Sequence, residues 1–202
     1  MQPSLRFSAK TLLRAQGGGA GGSGGSGSSG GIGMRAAIFD VDGVLTDGSL
    51  YISEHGETVK AFHALDGHGL KLLMQGGILP LVMTGRDSPA VRRRVADLGL
   101  PHALYGVQDK AVAAEALLAT LGLGWHEVAA MGDDWPDLPL LTRAAFACAP
   151  ANAHAEVKAV AHHVTSATGG HGAAREFCDL LLMAAGRYAA LLQGQLKTLD
   201  GA

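Results

Sequence analysis

Asp40 and Asp42 stand two residues apart in the segment DVDGVLTDG, at the end of the apolar run Ala36-Ala37-Ile38-Phe39. Side chains alternate along an extended chain, so both carboxylates point the same way, and the carboxyl ends of strands in α/β sheets are where ligands bind. One carboxylate can attack phosphorus as a nucleophile while the other moves the proton. Gly43 lets the backbone approach an anion closely or take a positive φ. Taken alone, Asp-x-Asp-Gly fits an ordinary turn as well. The segments downstream separate the two readings.

A second apolar run ends in Thr84-Gly85-Arg86-Asp87, where a hydroxyl and backbone amides could hold phosphate oxygens near the positive end of a helix that begins about Ser88. Lys110 opens another predicted helix, and an ammonium there could neutralise both the carboxylate and a transferring phosphoryl group. A later run leads into Gly132-Asp133-Asp134-Trp135-Pro136-Asp137, which concentrates acids where a hard cation would sit. Magnesium prefers oxygen ligands, keeps several waters and uses few carboxylates. One direct ligand here, with Asp40 and a carbonyl near Asp42, would suffice, and the other acids would orient waters. Each segment by itself also reads as a turn, a solvated lysine or a helix cap. Standing in chain order at the ends of successive predicted strands, they read together as a site for phosphoryl transfer.

The elements that must position these groups follow from periodicity. Short apolar runs alternate with helical periods from Met34 onward, which predicts an α/β fold: a Rossmann-like parallel sheet with helices on both faces. Strands are expected at 36–39, 78–83, 102–105, 128–131 and 146–148. Helices are expected at 67–75, at 88–98 with Ser88 as cap and Pro89 at its first position, at 110–121 and 151–161, and as one long element at 172–192. Residues 48–63, with Glu54-His55-Gly56-Glu57 between two β-prone stretches, predict a β-hairpin inserted directly after the first carboxylate loop. Residues 17–33 are almost entirely glycine and serine, a composition that cannot bury enough surface to fold. They divide a short head, 1–16, from the main domain, 34–202. The head carries Arg6, Lys10 and Arg14 among Leu5, Phe7, Leu12 and Leu13 and reads either as a terminal helix resting on the body or as a transit-like or docking peptide.

With 202 residues, net charge -2 and a pI near 6.5, the chain has one domain's worth of sequence and no global basic field for nucleic acid or an anionic membrane. Small-molecule partners are expected instead. Cys148 and Cys178 form no metal or disulfide pattern, and no run has transmembrane length, so a reducing cytoplasmic location is expected. His162 and His163 complete no ligand spacing, Trp125 and Trp135 read as packing residues, and Gly169-Gly170-His171-Gly172 offers an anion cradle, a lid or a tail hinge.

In their order and residue types, Asp40/Asp42, Thr84, Lys110 and Gly132-Asp133-x-x-x-Asp137 resemble the motifs of the haloacid dehalogenase superfamily of aspartate-nucleophile phosphatases. The resemblance implies that Asp40 is nucleophile and metal ligand, and that Asp42 is acid/base with its carbonyl on Mg2+. It further implies that Thr84 and Lys110 anchor phosphate, that Asp133 is the third metal ligand, and that Asp134 and Asp137 lie outside the ligand shell. DVDGVLTDG, GETVKAF, LDGHG and GGHGAAREFCDLLL together are similar to the 3-deoxy-D-manno-octulosonate 8-phosphate phosphatase family, over about residues 34–188. That similarity implies a sugar acid phosphate substrate, a role in lipopolysaccharide precursor synthesis, no cap domain, and a homotetramer in which a neighbour's C-terminal segment helps close the site. A nonulosonate 9-phosphate phosphatase and a non-catalytic tetramerising module are the alternatives. The family pattern puts substrate contacts at Asp42, His63, Ala64, Leu65, Asp66, Gly67, Lys71, Arg86, Arg94 and Lys110. Arginine is common in the family at positions 65 and 71, where this chain has Leu65 and Lys71, so Arg86 and Arg94 become the better candidates for the substrate carboxylate.

Overall fold

A computed structural model of the chain describes residues 33–197. The expected head and all but the last residue of the Gly/Ser stretch lie outside the described residues. In chain order the strands are β1 (Ala36–Phe39), β2 (Tyr51–Ser53), β3 (Gly56–Val59), β4 (Leu79–Met83), β5 (His102–Leu104), β6 (Val128–Met131), β7 (Phe146–Ala149) and β8 (His163–Val164). The helices are α1 (Ala64–Gln75), α2 (Pro89–Leu98), α3 (Lys110–Leu121), α4 (Leu138–Leu141), α5 (Ala155–Val160), α6 (Ala173–Ala184) and α7 (Tyr188–Lys197). Across the parallel six-stranded sheet the order is β5-β4-β1-β6-β7-β8, while β2 and β3 pair antiparallel as a separate hairpin. No cap domain stands over the sheet edge among the described residues.

β1 shows why the sequence forms this sheet. A strand covered on both faces must be apolar at every position rather than at alternate ones. Ala37 and Phe39 enter the core on the face that carries α1, α2 and α6, whereas Ala36 and Ile38 enter the opposite core with residues of α3, α4 and α5. Phe39 meets Phe177 of α6 edge-on at 5.4 Å between ring centroids. The chain runs from β1 out to β4 and β5, then returns to place β6 on the other side of β1. That reversal is the switch point at which open parallel sheets bind ligands. Because Phe39 is in register with Val82 and Met131, the residues that follow each strand, Asp40, Thr84 and Gly132-Asp133, emerge at one edge.

Several sequence-based boundaries shift. The last helix is two, because the chain turns at Ala185-Gly186-Arg187, with Gly186 at φ +69° and its neighbours' amides bonded back into α6. α5 is shorter than expected, since residues 151–153 form a turn after β7, and β8 was not anticipated from its two-residue length. Ser88 stands at the N-cap of α2 but makes no side-chain capping bond, and its buried hydroxyl has no partner. Trp135, read as a packing residue, is 60% exposed and donates from Nε1 to His154 Nδ1 at 3.0 Å. The Gly169-Gly170-His171-Gly172 segment is no free lid: all its amides are bonded, to Asn152, Val44, Thr168 and Asp66. No helix among the described residues is long and apolar enough to cross a membrane.

Asp66 ties α1 to α6. Its buried carboxylate accepts from Arg175 N at 2.8 Å and Gly172 N at 3.2 Å, amides that a helix N-terminus leaves without backbone partners. Asp66→Ala should lower stability by about 2 kcal/mol, the cost of stranding buried donors. The urea midpoint measures it; a midpoint equal to the parent's would remove this tie.

Candidate active site

The loops after β1, β4 and β6 and the start of α3 enclose a cleft of about 460 Å³ lined by Asp40, Asp42, Thr84, Arg86, Lys110, Asp133, Asp134 and Asp137 among others. Asp40 is fixed at the strand end by its own amide, which donates to Met131 O at 3.1 Å. Lys110, at the first position of α3, is buried and reaches Asp40 Oδ1 at 2.7 Å and Asp137 Oδ1 at 2.6 Å. Asp109 N-caps that helix by accepting from Val112 N at 3.0 Å, so the lysine leaves a rigid base. The other oxygen of Asp137 accepts from the amides of Asp133 at 3.0 Å and Asp134 at 3.4 Å. Its lone pairs are therefore committed to orienting the loop.

Thr84 is buried, and its hydroxyl accepts from Arg86 N at 3.2 Å. Arg86 extends to Asp42, Nε lying 3.7 Å from Oδ2, and its side chain is half exposed at the cleft. The expected sugar contacts His63, Asp66, Gly67 and Arg94 do not line this cleft. They surround a cavity of about 10 Å³ beneath the start of α1, where Arg94 lies over the Phe62 ring and its Nη2 contacts His63 O at 3.5 Å. Ala64, Leu65 and Lys71 are exposed on α1 and do not line the cleft either.

Two participants were not singled out as site residues from the sequence. The hairpin carries Lys60 back to the site, where its ammonium is an ion-pair and hydrogen-bond partner of Asp42 Oδ1 and lies 2.5 Å from Glu57 Oε1. The lysine side chain has no exposed surface. Burial alone would lower its pKa, but the bonds and charges of Asp42 and Glu57 outweigh burial and hold it above the ordinary value. The available sequence signal was a Glu-x-x-Lys pair on a predicted hairpin, and nothing local shows which carboxylate such a lysine will meet.

Asp40, Asp133 and Asp137 each offer an oxygen within 4.8 Å of one another, a spacing that fits a hard divalent cation. Asp133 Oδ1 is buried without any partner, so a cation coordinated there would satisfy it. Asp137 is already bonded on both oxygens, whereas Asp133 Oδ1 has no partner and Asp40 is held by Lys110 at Oδ1, so Asp133 and Asp40 are the better-placed carboxylate donors. Gly43 sits against this pair at φ +91°, and a Cβ there would fall 2.0 Å from Asp133 Oδ2. Burial, then the Asp137 charge, pushes Asp40 up to about 7 against the pull of Lys110. Burial and the charges of Asp40, Asp137 and Asp134 push Asp133 up to about 8. Burial would lower Lys110, but Asp40 and Asp137 more than offset it and hold the ammonium above its ordinary value.

Residues 105–177 match the haloacid dehalogenase-like hydrolases. The chain is 42% identical over 167 residues to the 3-deoxy-D-manno-octulosonate 8-phosphate phosphatase of Haemophilus influenzae, covering 82% of this chain and 93% of that protein. A cobalt-bound structure of the Haemophilus influenzae phosphatase superposes with TM-score 0.78 at 41% identity, covering 82% of this chain and 98% of that one. The Moraxella catarrhalis enzyme, solved with a magnesium ion, a phosphate ion and KDO, superposes with TM-score 0.77 at 38% identity, covering 80% and 92%.

The raised carboxyls carry a pH consequence. Asp40 and Asp133 lie above their ordinary 3.8, so the folded protein holds protons that the unfolded chain releases. That contribution to stability is complete below the unfolded value and is lost as pH rises through about 7 and about 8. Chelator-treated protein should therefore melt at a lower temperature at about pH 8 than at about pH 5, and added Mg2+ should raise the melting temperature more at the higher pH. A magnesium effect equal at both values would place the cation elsewhere.

Proposed function

The chain belongs to the 3-deoxy-D-manno-octulosonate 8-phosphate phosphatase family of haloacid dehalogenase-like hydrolases, and from this we propose that it is a magnesium-dependent phosphatase releasing 3-deoxy-D-manno-octulosonate and phosphate from the 8-phosphate. What carries the reading is the single cleft in which Asp40, Asp42, Thr84, Lys110 and Asp133 converge beside a guanidinium.

In this mechanism Asp40 forms a bond to phosphorus as the sugar's ester P–O bond breaks, and Asp42 gives a proton to the departing sugar oxygen. Asp42 then takes a proton from the water that attacks the aspartyl-phosphate, and the Asp40–phosphorus bond breaks. Lys110 offsets the negative charge shared by Asp40 and the phosphoryl oxygens, and Thr84 turns its hydroxyl toward one of those oxygens. Asp40, Asp133 and the Asp42 carbonyl would hold Mg2+, which when bound neutralises phosphoryl charge. Asp137 and Asp134 stay outside that ligand set, Asp137 keeping Lys110 and the Asp133 amide in place. Arg86, facing the cleft, is the group we assign to the substrate carboxylate. His63 to Gly67, Lys71 and Arg94 lie off the lining of the cleft within one protomer and are assigned no substrate contact there.

The hairpin exposes Tyr51, Ile52 and Val59, with Tyr51 and Val59 paired across it, and Leu50, just before it, is exposed as well. We assign this surface to contacts between copies in a cytoplasmic homotetramer, which would also wall an uncapped site. Such an enzyme would serve lipopolysaccharide precursor synthesis.

Purified protein with Mg2+ should release phosphate from 3-deoxy-octulosonate 8-phosphate with a higher kcat/KM than from a nonulosonate 9-phosphate. Asp40→Asn should lose at least about 10³-fold in turnover while melting normally. Full activity in that variant sinks the mechanism, a preference for the nine-carbon sugar changes the substrate, and no turnover of any sugar acid phosphate leaves the non-catalytic module. Light scattering should give a tetramer mass, reduced by Ile52→Glu; a monomeric parent protein removes the assembly.

A further inference from the structure

Residues 165–172 cross behind the loop that carries Asp40 and Asp42, with backbone laid on backbone. A Cβ on Gly169 would stand 1.8 Å from Gly43 O, and one on Gly170 would stand 2.4 Å from Asp47 N. Gly170 N donates to Val44 O at 3.0 Å. On its other side Gly43 meets the Asp133 carboxylate, so the peptide between Asp42 and Val44 is enclosed from both directions.

The crossing segment has no slack of its own. Asn152 Oδ1 accepts from Gly169 N at 2.9 Å, and Asp66 accepts from Gly172 N at 3.2 Å. The Glu176 carboxylate accepts from Ser166 N at 3.0 and 3.1 Å and from Ala167 N at 3.2 Å. These anchors stand on three different parts of the fold: the turn after β7, α1 and α6. Gly169 has an ordinary φ, so a larger residue is excluded there by contact with the nucleophile loop and not by backbone strain.

We propose that residues 168–172 are a backbone clamp that fixes the Asp40–Asp42 loop for phosphoryl transfer, with Gly169 as a positioning residue. The inference rests on the phosphatase reading above. Displacing a reacting group by about an ångström can cost roughly a hundredfold in rate, so a support touching Gly43 acts directly on turnover.

Three variants and two readouts test it. Gly169→Ala should lower kcat at least tenfold, roughly, with KM changed less than about twofold, and should speed amide hydrogen exchange in residues 40–48. Asn152→Ala removes only the anchor and should move both readouts the same way, by roughly fivefold in kcat; it carries the test should Gly169→Ala fail to fold. Gly186→Ala strains a remote turn at φ +69° with nothing within 4 Å of its Cβ, and should lower the melting temperature without changing kcat or exchange in 40–48. Unchanged exchange and kcat in Asn152→Ala or Gly169→Ala overturn the clamp, as does a fall in kcat with Gly186→Ala that matches its loss of stability. Exchange is read without substrate. A parent protein that hydrolyses no sugar acid phosphate therefore overturns the phosphatase reading, while the exchange comparison still decides whether the loop is clamped.

Discussion

Like charges crowded at one buried strand end are the constraint on which the rest of this structure depends. Two carboxylates about 4 Å apart repel by roughly 4 kcal/mol at the effective dielectric of a protein surface. Asp40, Asp42, Asp133 and Asp137 share one cleft. Left to themselves they would hold protons or push the loops apart. Lys110 is buried between Asp40 and Asp137, Lys60 and Arg86 attend Asp42, and the amides of Asp133 and Asp134 are spent on Asp137. Asp133 keeps an unpartnered buried oxygen, and its raised pKa reflects the same lack of compensation. The site is thus short of positive charge where the spacing of Asp40, Asp133 and Asp137 fits a divalent cation.

Bringing these groups together demands close backbone approach, which glycine supplies. Gly43 leaves room for the Asp133 carboxylate, and Gly132 leaves room for Asp137, whose Cβ would lie 2.3 Å from a Cβ at that position. The crossing segment repeats the device at Gly169. A side chain at position 43 or 132 would press on a carboxylate, and one at 169 on the Gly43 carbonyl, so each would force packed groups apart. The tightness that permits short ion pairs also makes the cleft sensitive to elements that contribute no reacting atom.

The hairpin changes what an uncapped sheet edge can do. It returns Lys60 to Asp42 while presenting Tyr51, Ile52 and Val59 outward. One short element therefore links the Asp42 carboxylate to an exposed apolar surface, and packing at that surface would bear on the position of Lys60.

Much of this was legible in the chain. The apolar runs 36–39 and 128–131 end where the strands end, because strands buried on both faces admit no polar residue until the edge; Asp40 and Gly132-Asp133 follow those ends directly, Thr84 follows β4, and Lys110 opens α3 after β5. Parallel register then makes their convergence nearly automatic. What the sequence could not determine depended on contacts between distant segments. Asp66 looked available to a substrate but is consumed by α6, 106 and 109 residues away. Arg94, a candidate for the substrate carboxylate, lies under α1, Lys60 meets a carboxylate 18 residues earlier, and the glycine segment read as a cradle, lid or hinge packs on the backbone of Gly43. Local spacing fixes the direction in which a side chain leaves its strand or helix; which partner compensates its charge is decided only when the layers close.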